Sequence, residues 1–184
     1  TGVQTCALPI LHSILNLYNL KCCARITFAK KHPMTFEQLQ PKVQAILEQS
    51  NVLRDEKLLQ VCTLLKDNVS YYDWVGFYFA NHETKTLHLG PYVGAETDHT
   101  VIPFGKGICG QVAVSNENFV VPDVQAQDNY IACSFTVKSE IVVPLFVNGE
   151  NIGQIDIDSN VLDPFTEADE RFLEFVNNGI SKLF

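Results

Sequence analysis

The fold is decided by the stretch at residues 140–159, EIVVPLFVNGENIGQIDIDS. It contains two extended apolar segments, 140–147 and 152–159, and between them lies the pair Asn148-Gly149. This pair is a strong signal for a two-residue hairpin turn, because both central positions of that turn need a positive φ. The stretch therefore predicts two neighbouring antiparallel strands.

Upstream of this hairpin the hydrophobic pattern is first helical and then extended. A helical period predicts helices over 35–50 and 53–69, with Pro41 in the first regular turn of the first helix. Aromatic and β-branched residues then predict four more strands, over 73–80, 86–93, 99–104 and 118–122.

Helices also follow from local signals. Residues 108–115 predict a short helix, and 123–138 a long loop with one helical turn. Thr166 and Asp169 form a capping-box pattern at the start of a final helix. We expect an α+β fold with an antiparallel sheet of about six strands, terminal helices on one face and a ligand pocket under loops on the other.

Charge divides the chain at Met34, the only methionine. Residues 1–33 contain four Lys or Arg and no acid, whereas 34–184 contain nine Lys or Arg against 21 acids, a net charge of −12. The formal charge of the whole chain, −8, argues against a nucleic acid partner, which needs a basic face.

The first segment, 1–33, is predicted to be non-native upstream translation and 34–184 the native domain. Its opening, TGVQTCALPI, resembles a peptide translated from sequencing adapter. A signal peptide is the alternative, but no basic residue precedes the apolar run. The run is also too short to span a membrane.

Cysteines and acids supply the candidate chemistry. Cys133 lies on the long polar loop, and Cys109 lies in the glycine-rich turn GKGICG, where a helix start would favour the thiolate. Asp156 and Asp158 are two apart on one strand and share a face, which Glu140 on the partner strand can approach. Clustered carboxylates raise one another's pKa, although a solvated sheet face is the plainer explanation.

Other candidates are weaker. Trp74 and Tyr78 share a strand face, as core residues or as the wall of a small apolar pocket. No metal site is expected, because the sequence lacks Cys-x-x-Cys and His-x-x-x-His spacing. The odd number of cysteines after residue 33 gives no disulfide pattern, so a cytoplasmic location is expected.

Seven segments together resemble one family, the free methionine-R-sulfoxide reductases, which are single GAF-domain proteins. The segments are, in order, DWVGFYF, LGPYVG, VIPFGKGICGQVA, VVPDV, IAC, SEIVVPL and IGQIDIDS. The resemblance covers about 34–184 and implies reduction of free L-methionine-(R)-S-oxide without a bound cofactor.

The resemblance also implies roles for individual residues. Cys133 would be the nucleophile, oxidised to a sulfenic acid, and Cys109 the second catalytic cysteine. The acids Glu140, Asp156 and Asp158 would bind the amino acid and protonate the sulfoxide oxygen. Trp74 and Tyr78 would enclose its methyl group.

One position departs from the family pattern. The resolving cysteine that the family carries three residues before Ile102-Pro103 is His99 here. The resemblance therefore assigns the resolving step to Cys109, followed by thioredoxin, or to an external thiol. Whether the chain is active without that cysteine depends on this step.

A binding module without catalysis is the alternative function, since GAF domains often bind small ligands. The segment FTEADE at 165–170 resembles half of a cyclic-nucleotide signature, but it also fits a capped helix start. The resemblance further allows a homodimer, because many GAF domains pair through terminal helices.

Overall fold

Six strands and four α-helices make up the fold in the computed structural model, which describes residues 34–129 and 136–184. The strands are β1 (Trp74–Asn81), β2 (Thr86–Val93), β3 (Val101–Pro103), β4 (Phe119–Val121), β5 (Ser139–Val147) and β6 (Glu150–Ser159). The helices are α1 (Phe36–Leu47), α2 (Arg54–Asn68), α3 (Gly107–Ser115) and α4 (Glu167–Ile180). The predicted non-native stretch 1–33 lies outside the described residues.

The predicted hairpin is confirmed, and its second strand, β6, lies at the centre of the sheet beside β1. β5 and β6 pair antiparallel, and the strand order is β3-β2-β1-β6-β5-β4, with antiparallel pairing throughout. Asn148 and Gly149 have φ values of 52° and 84°, the positive values that a two-residue hairpin turn requires.

One face of the sheet packs against α2 and α4, and α1 packs on these two helices. Inward side chains of β1 and β6 alternate along the strands, and Val75, Phe77, Ile155 and Ile157 are all fully buried there. The last helix begins with the predicted capping box, in which Asp169 Oδ2 accepts from the backbone N–H of Thr166 at 2.8 Å. The α+β architecture with helices on one face is therefore confirmed.

Two local predictions were wrong. Pro41 is the sixth residue of α1 rather than part of its first turn, because the Thr35–Gln38 capping box starts the helix at Phe36. β3 begins at Val101 instead of residue 99, because a tight turn precedes it, in which the Thr100 N–H donates to the Asp98 carbonyl at 2.9 Å.

Within 34–129 and 136–184, no helix is long and apolar enough to cross a bilayer.

Candidate functional site

Three carboxylates meet on the sheet face opposite the three packed helices. In the β5–β6 ladder Glu140 is directly opposite Asp158, and Val142 is opposite Asp156. In the β1–β6 ladder Trp74 is opposite Asp158. Because opposed residues point to the same face, the carboxylates and the indole form one cluster.

The carboxylates are almost completely removed from water. Glu140, Asp156 and Asp158 are only 2–3% exposed. Burial raises the pKa of Asp156 from 3.8 to about 7, although the nearby Cys109 thiol acts in the opposite direction.

The other two acids are shifted in the same direction. Burial raises the pKa of Glu140 well above its usual range, and Asp156 and Asp158 add to that effect. The pKa of Asp158 is also raised, first by burial and then by Asp156 and Asp73. At neutral pH the cluster therefore keeps protonated carboxyl groups available as donors.

Cys109 reaches the carboxylates from the first turn of α3. Its Sγ lies 3.9 Å from Glu140 Oε1. Gly110 allows the helix to approach β3, because a Cβ at this position would lie 2.5 Å from the Pro103 carbonyl oxygen. The glycine-rich turn thus places the thiol against the sheet.

An aromatic wall borders the acids. The Trp74 indole stacks on Tyr92 at 5.3 Å and lies 6.3 Å from the Tyr78 ring. The lack of a side chain at Gly76 leaves room for the indole, since a Cβ there would come within 2.2 Å of the Trp74 ring. Trp74 Nε1 donates to the Ala95 carbonyl at 3.2 Å, which fixes the ring orientation.

His99 borders this wall through its backbone. The Tyr78 hydroxyl donates to the His99 carbonyl at 2.9 Å, and the His99 N–H donates to Thr97 Oγ1 at 3.1 Å. The position that departs from the family pattern is therefore tied directly to an aromatic residue of the candidate site.

A small cavity opens beside the acids and the indole. It encloses about 60 Å³ and is lined in part by Asp73, Trp74, Thr136 and Asp158. The predicted nucleophile, Cys133, falls in 130–135, outside the described residues.

Two further polar residues hold the site, and neither was predicted from the sequence. Gln154 is fully buried, and its Nε2 donates to the Cys109 carbonyl at 3.1 Å, which joins α3 to β6. Asp73 precedes β1 and accepts from the Asn160 N–H at 2.7 Å. The alternation of Gln154 with Asp156 and Asp158 along β6 was the available signal for Gln154.

The only metal-binding geometry within 34–129 and 136–184 lies in the same cluster. One donor atom from each of Cys109, Glu140 and Asp156 lies within 4.8 Å of the others. The sequence predicted no metal site, because these donors come from three separate segments.

The segment FTEADE is used for packing. Asp169 is fully buried and accepts hydrogen bonds from the hydroxyls of Tyr71 and Tyr72 at 2.8 and 2.9 Å. Its other oxygen caps α4. Both carboxylate oxygens of Asp169 thus accept hydrogen bonds from the protein. Helix capping and packing therefore explain the segment FTEADE, and no nucleotide is needed to account for it.

Residues 55–183 match the family model described as GAF domain, which defines the class of protein. Two relatives are named free methionine-R-sulfoxide reductase. The Escherichia coli protein is 40% identical over 63% of this chain and 68% of its own length. The Saccharomyces cerevisiae protein is 43% identical over 60% of this chain and 62% of its own length.

A solved structure supports the same relationship. The free methionine-R-sulfoxide reductase from Neisseria meningitidis, in complex with its substrate, is 35% identical and has a TM-score of 0.76. The match covers 81% of this chain and 87% of that one. The chain belongs to the free methionine-R-sulfoxide reductase family of GAF-domain proteins.

Proposed function

We propose that this protein is an oxidoreductase that converts free L-methionine-(R)-S-oxide to L-methionine, with Cys133 as the nucleophile. The observation that carries the proposal is the cluster of three buried carboxyl groups with raised pKa values beside an aromatic wall. Such a cluster can supply both a proton donor and an anionic partner for an ammonium group. The relatives named for this reaction support it.

The site residues suit the two ends of this substrate. We assign amino acid binding and protonation of the sulfoxide oxygen to Glu140, Asp156 and Asp158. An ionised carboxylate in a dry site attracts the substrate ammonium, while a protonated one donates to the oxygen. Trp74 and Tyr78 present aromatic faces to the methyl group.

Chain connectivity supports the assignment of the nucleophile. Cys133 is three residues before Thr136, which lines the cavity beside Asp158. Three residues of chain span at most roughly 11 Å. A reach of this length is compatible with the proposed role of Cys133 at the carboxylates.

The reaction transfers the sulfoxide oxygen to the thiol. The Cys133 thiolate attacks the sulfoxide sulfur while a carboxyl group protonates the oxygen. This attack forms a sulfur–sulfur bond. The hydroxyl group then passes to the Cys133 sulfur while the bonds from the methionine sulfur to oxygen and to Cys133 break. Methionine leaves reduced by two electrons, and Cys133 becomes a sulfenic acid. The donor carboxyl group then recovers a proton from solvent.

Recycling needs a second thiol. We assign this role to Cys109, whose thiol would attack the Cys133 sulfenic acid, form a disulfide and release water. Thioredoxin would then reduce the disulfide by thiol–disulfide exchange. If the two sulfur atoms cannot meet, an external thiol would attack the sulfenic acid instead.

The setting of the reaction is part of the same proposal. Reduced thiols and thioredoxin imply the cytoplasm. A homodimer is proposed from the family resemblance and is checked by light scattering of the full chain.

The test is a coupled assay that follows NADPH oxidation with thioredoxin and thioredoxin reductase. We expect turnover of the R epimer of free methionine sulfoxide, little turnover of the S epimer, and none after Cys133→Ser. The matched control is Cys62→Ala, which removes a cysteine buried in α2, on the opposite face of the sheet. Full activity of Cys133→Ser would refute the assignment of the nucleophile.

A further inference from the structure

The donor cluster on the pocket face has the composition of a cation site. Cys109, Glu140 and Asp156 offer one sulfur and two oxygen atoms within 4.8 Å of one another. The three residues come from α3, β5 and β6, so two strands and a packed helix hold the donors in place. Rigid elements position ligands more precisely than loops do.

One edge of the cluster is close in length to an edge around a tetrahedral ion. Zinc bonds of about 2.3 Å to sulfur and 2.0 Å to oxygen put these donors roughly 3.5 Å apart. The Cys109 Sγ–Glu140 Oε1 distance is 3.9 Å. If this distance shortened by a few tenths of an ångström, the two atoms could bind the same zinc ion.

A second observation points to a ligand at this cluster. Asp156 is 2% exposed, and its Oδ1 has no hydrogen-bond partner among the described residues, nor does Oδ1 of Asp158. Buried carboxylate oxygens are normally satisfied by a donor or a cation. No Lys, Arg or His within the described ranges forms an ion pair with either residue.

We propose that Cys109, Glu140 and Asp156 bind a thiophilic divalent cation of the zinc type, which blocks the pocket reversibly. The mixed sulfur and oxygen donors favour Zn²⁺ or Cd²⁺ over Mg²⁺ or Ca²⁺, which take oxygen donors. The cation replaces protons on the thiol and carboxyl groups, and those protons pass to the buffer. Binding rests on these residues alone, and only the competition with substrate rests on the proposed function.

The test uses Cd²⁺, because cadmium bound to a thiolate absorbs in the ultraviolet. The protein is the full chain carrying Cys6→Ser, Cys22→Ser, Cys23→Ser and Cys133→Ser, so that Cys109 and the core residue Cys62 remain. We expect one equivalent of Cd²⁺ to produce the charge-transfer band. Adding Cys109→Ser should abolish the band, whereas Cys62→Ala should leave it unchanged.

The carboxylate ligands are tested in the same background. Asp156→Asn and Glu140→Gln keep the side-chain shape but remove the charge, and each should weaken Cd²⁺ binding about tenfold or more. Glu150→Gln, on the exposed hairpin end, should have no effect. Circular dichroism checks that each variant is folded.

The proposal is overturned if no band forms with folded protein, if the band survives Cys109→Ser, or if Asp156→Asn binds Cd²⁺ as tightly as its parent. Binding is read without turnover, so a failure here is distinct from a failure of the reductase assignment. In the unsubstituted enzyme, Zn²⁺ should raise the apparent KM for methionine sulfoxide, and a chelator should restore it.

Discussion

Single residues on the pocket face carry a cost in stability as well as the proposed chemistry. Asp156 is buried with Glu140 and Asp158, and no cationic side chain in the described part of the chain neutralises the group. Removing carboxylates from water favours their protonated forms. Protonation of these carboxyl groups therefore stabilises the folded protein, and their ionisation destabilises it.

This arrangement predicts an unusual dependence of stability on pH. The pKa of Asp156 is raised in the folded state from 3.8 to about 7, so between these values the folded protein holds a proton that the unfolded chain has released. The free energy of unfolding should thus fall as pH rises from about 4 through 7. This change in the pKa of Asp156 corresponds to a decrease in the free energy of unfolding of at most roughly 4 kcal/mol.

Urea unfolding at several pH values, in the presence of a chelator, checks this expectation. The side chain at position 156 cannot ionise in Asp156→Asn, so the free energy of unfolding of this variant should fall less steeply as pH rises. At pH 8 the variant should be more stable than the wild type. Glu150→Gln, an exposed acid, is the control. An unchanged slope in Asp156→Asn would show that Asp156 titrates normally.

Elements depend on a few residues whose roles can be separated from the site. The start of α4 is the clearest case, because Asp169 receives four hydrogen bonds: two from Thr166 and one each from Tyr71 and Tyr72. Burial is the main reason that the pKa values of both tyrosines are raised, and Asp169 adds to it. This carboxylate joins the α2–β1 connection to α4.

Asp169→Ala should therefore destabilise the protein by about 3 kcal/mol or more, because it removes the helix cap and leaves the buried Tyr72 hydroxyl without its acceptor. Thermal unfolding measures the loss. Reductase activity per folded molecule should be retained, since Asp169 lies outside the pocket. Glu167→Ala, at an exposed ion pair of the same helix, should change stability by less than about 0.5 kcal/mol.

The hairpin turn gives a second element-scale prediction. Gly149 has φ of 84°, and a Cβ there would meet nothing within 4 Å, so the effect of a side chain is purely conformational. Gly149→Ala should lower the free energy of unfolding by about 1 kcal/mol, with unchanged activity. Chemical denaturation provides the measurement, and a loss of activity instead would show that the turn acts on the site.

Much of this element structure was predictable because its causes are local. The Asn148-Gly149 turn, the alternation along β6 and the Thr166–Asp169 cap are all encoded within a few residues. The contacts of α3 were not predictable, because Cys109 meets Glu140 across 31 positions. That approach depends on the path of two loops and on the small volume of Gly110, which no periodic pattern records. Pro41 was misplaced because an upstream capping box started α1 earlier.

At the scale of the whole molecule, one sheet separates two hydrophobic cores, one on each of its faces. The helices pack on one face, and α3 with the aromatic residues packs on the other. β1 and β5 contribute side chains to both cores. Neither core can persist without the shared strands.

Residues 34–184 should consequently unfold in a single transition. In a urea titration, helical circular dichroism reports mainly on the helical face, and Trp74 fluorescence reports on the pocket face. We expect the two curves to coincide. Separated midpoints would mean that the pocket face opens independently.

The position of the indole has a practical consequence. Trp74 is the only tryptophan in the chain, and it lies against Asp158 and Tyr92. Indole emission responds to the polarity and protonation of its surroundings, so the enzyme contains its own optical reporter with no background from elsewhere. Substrate entry, carboxyl titration and cation binding can each be followed by emission from the unlabelled protein.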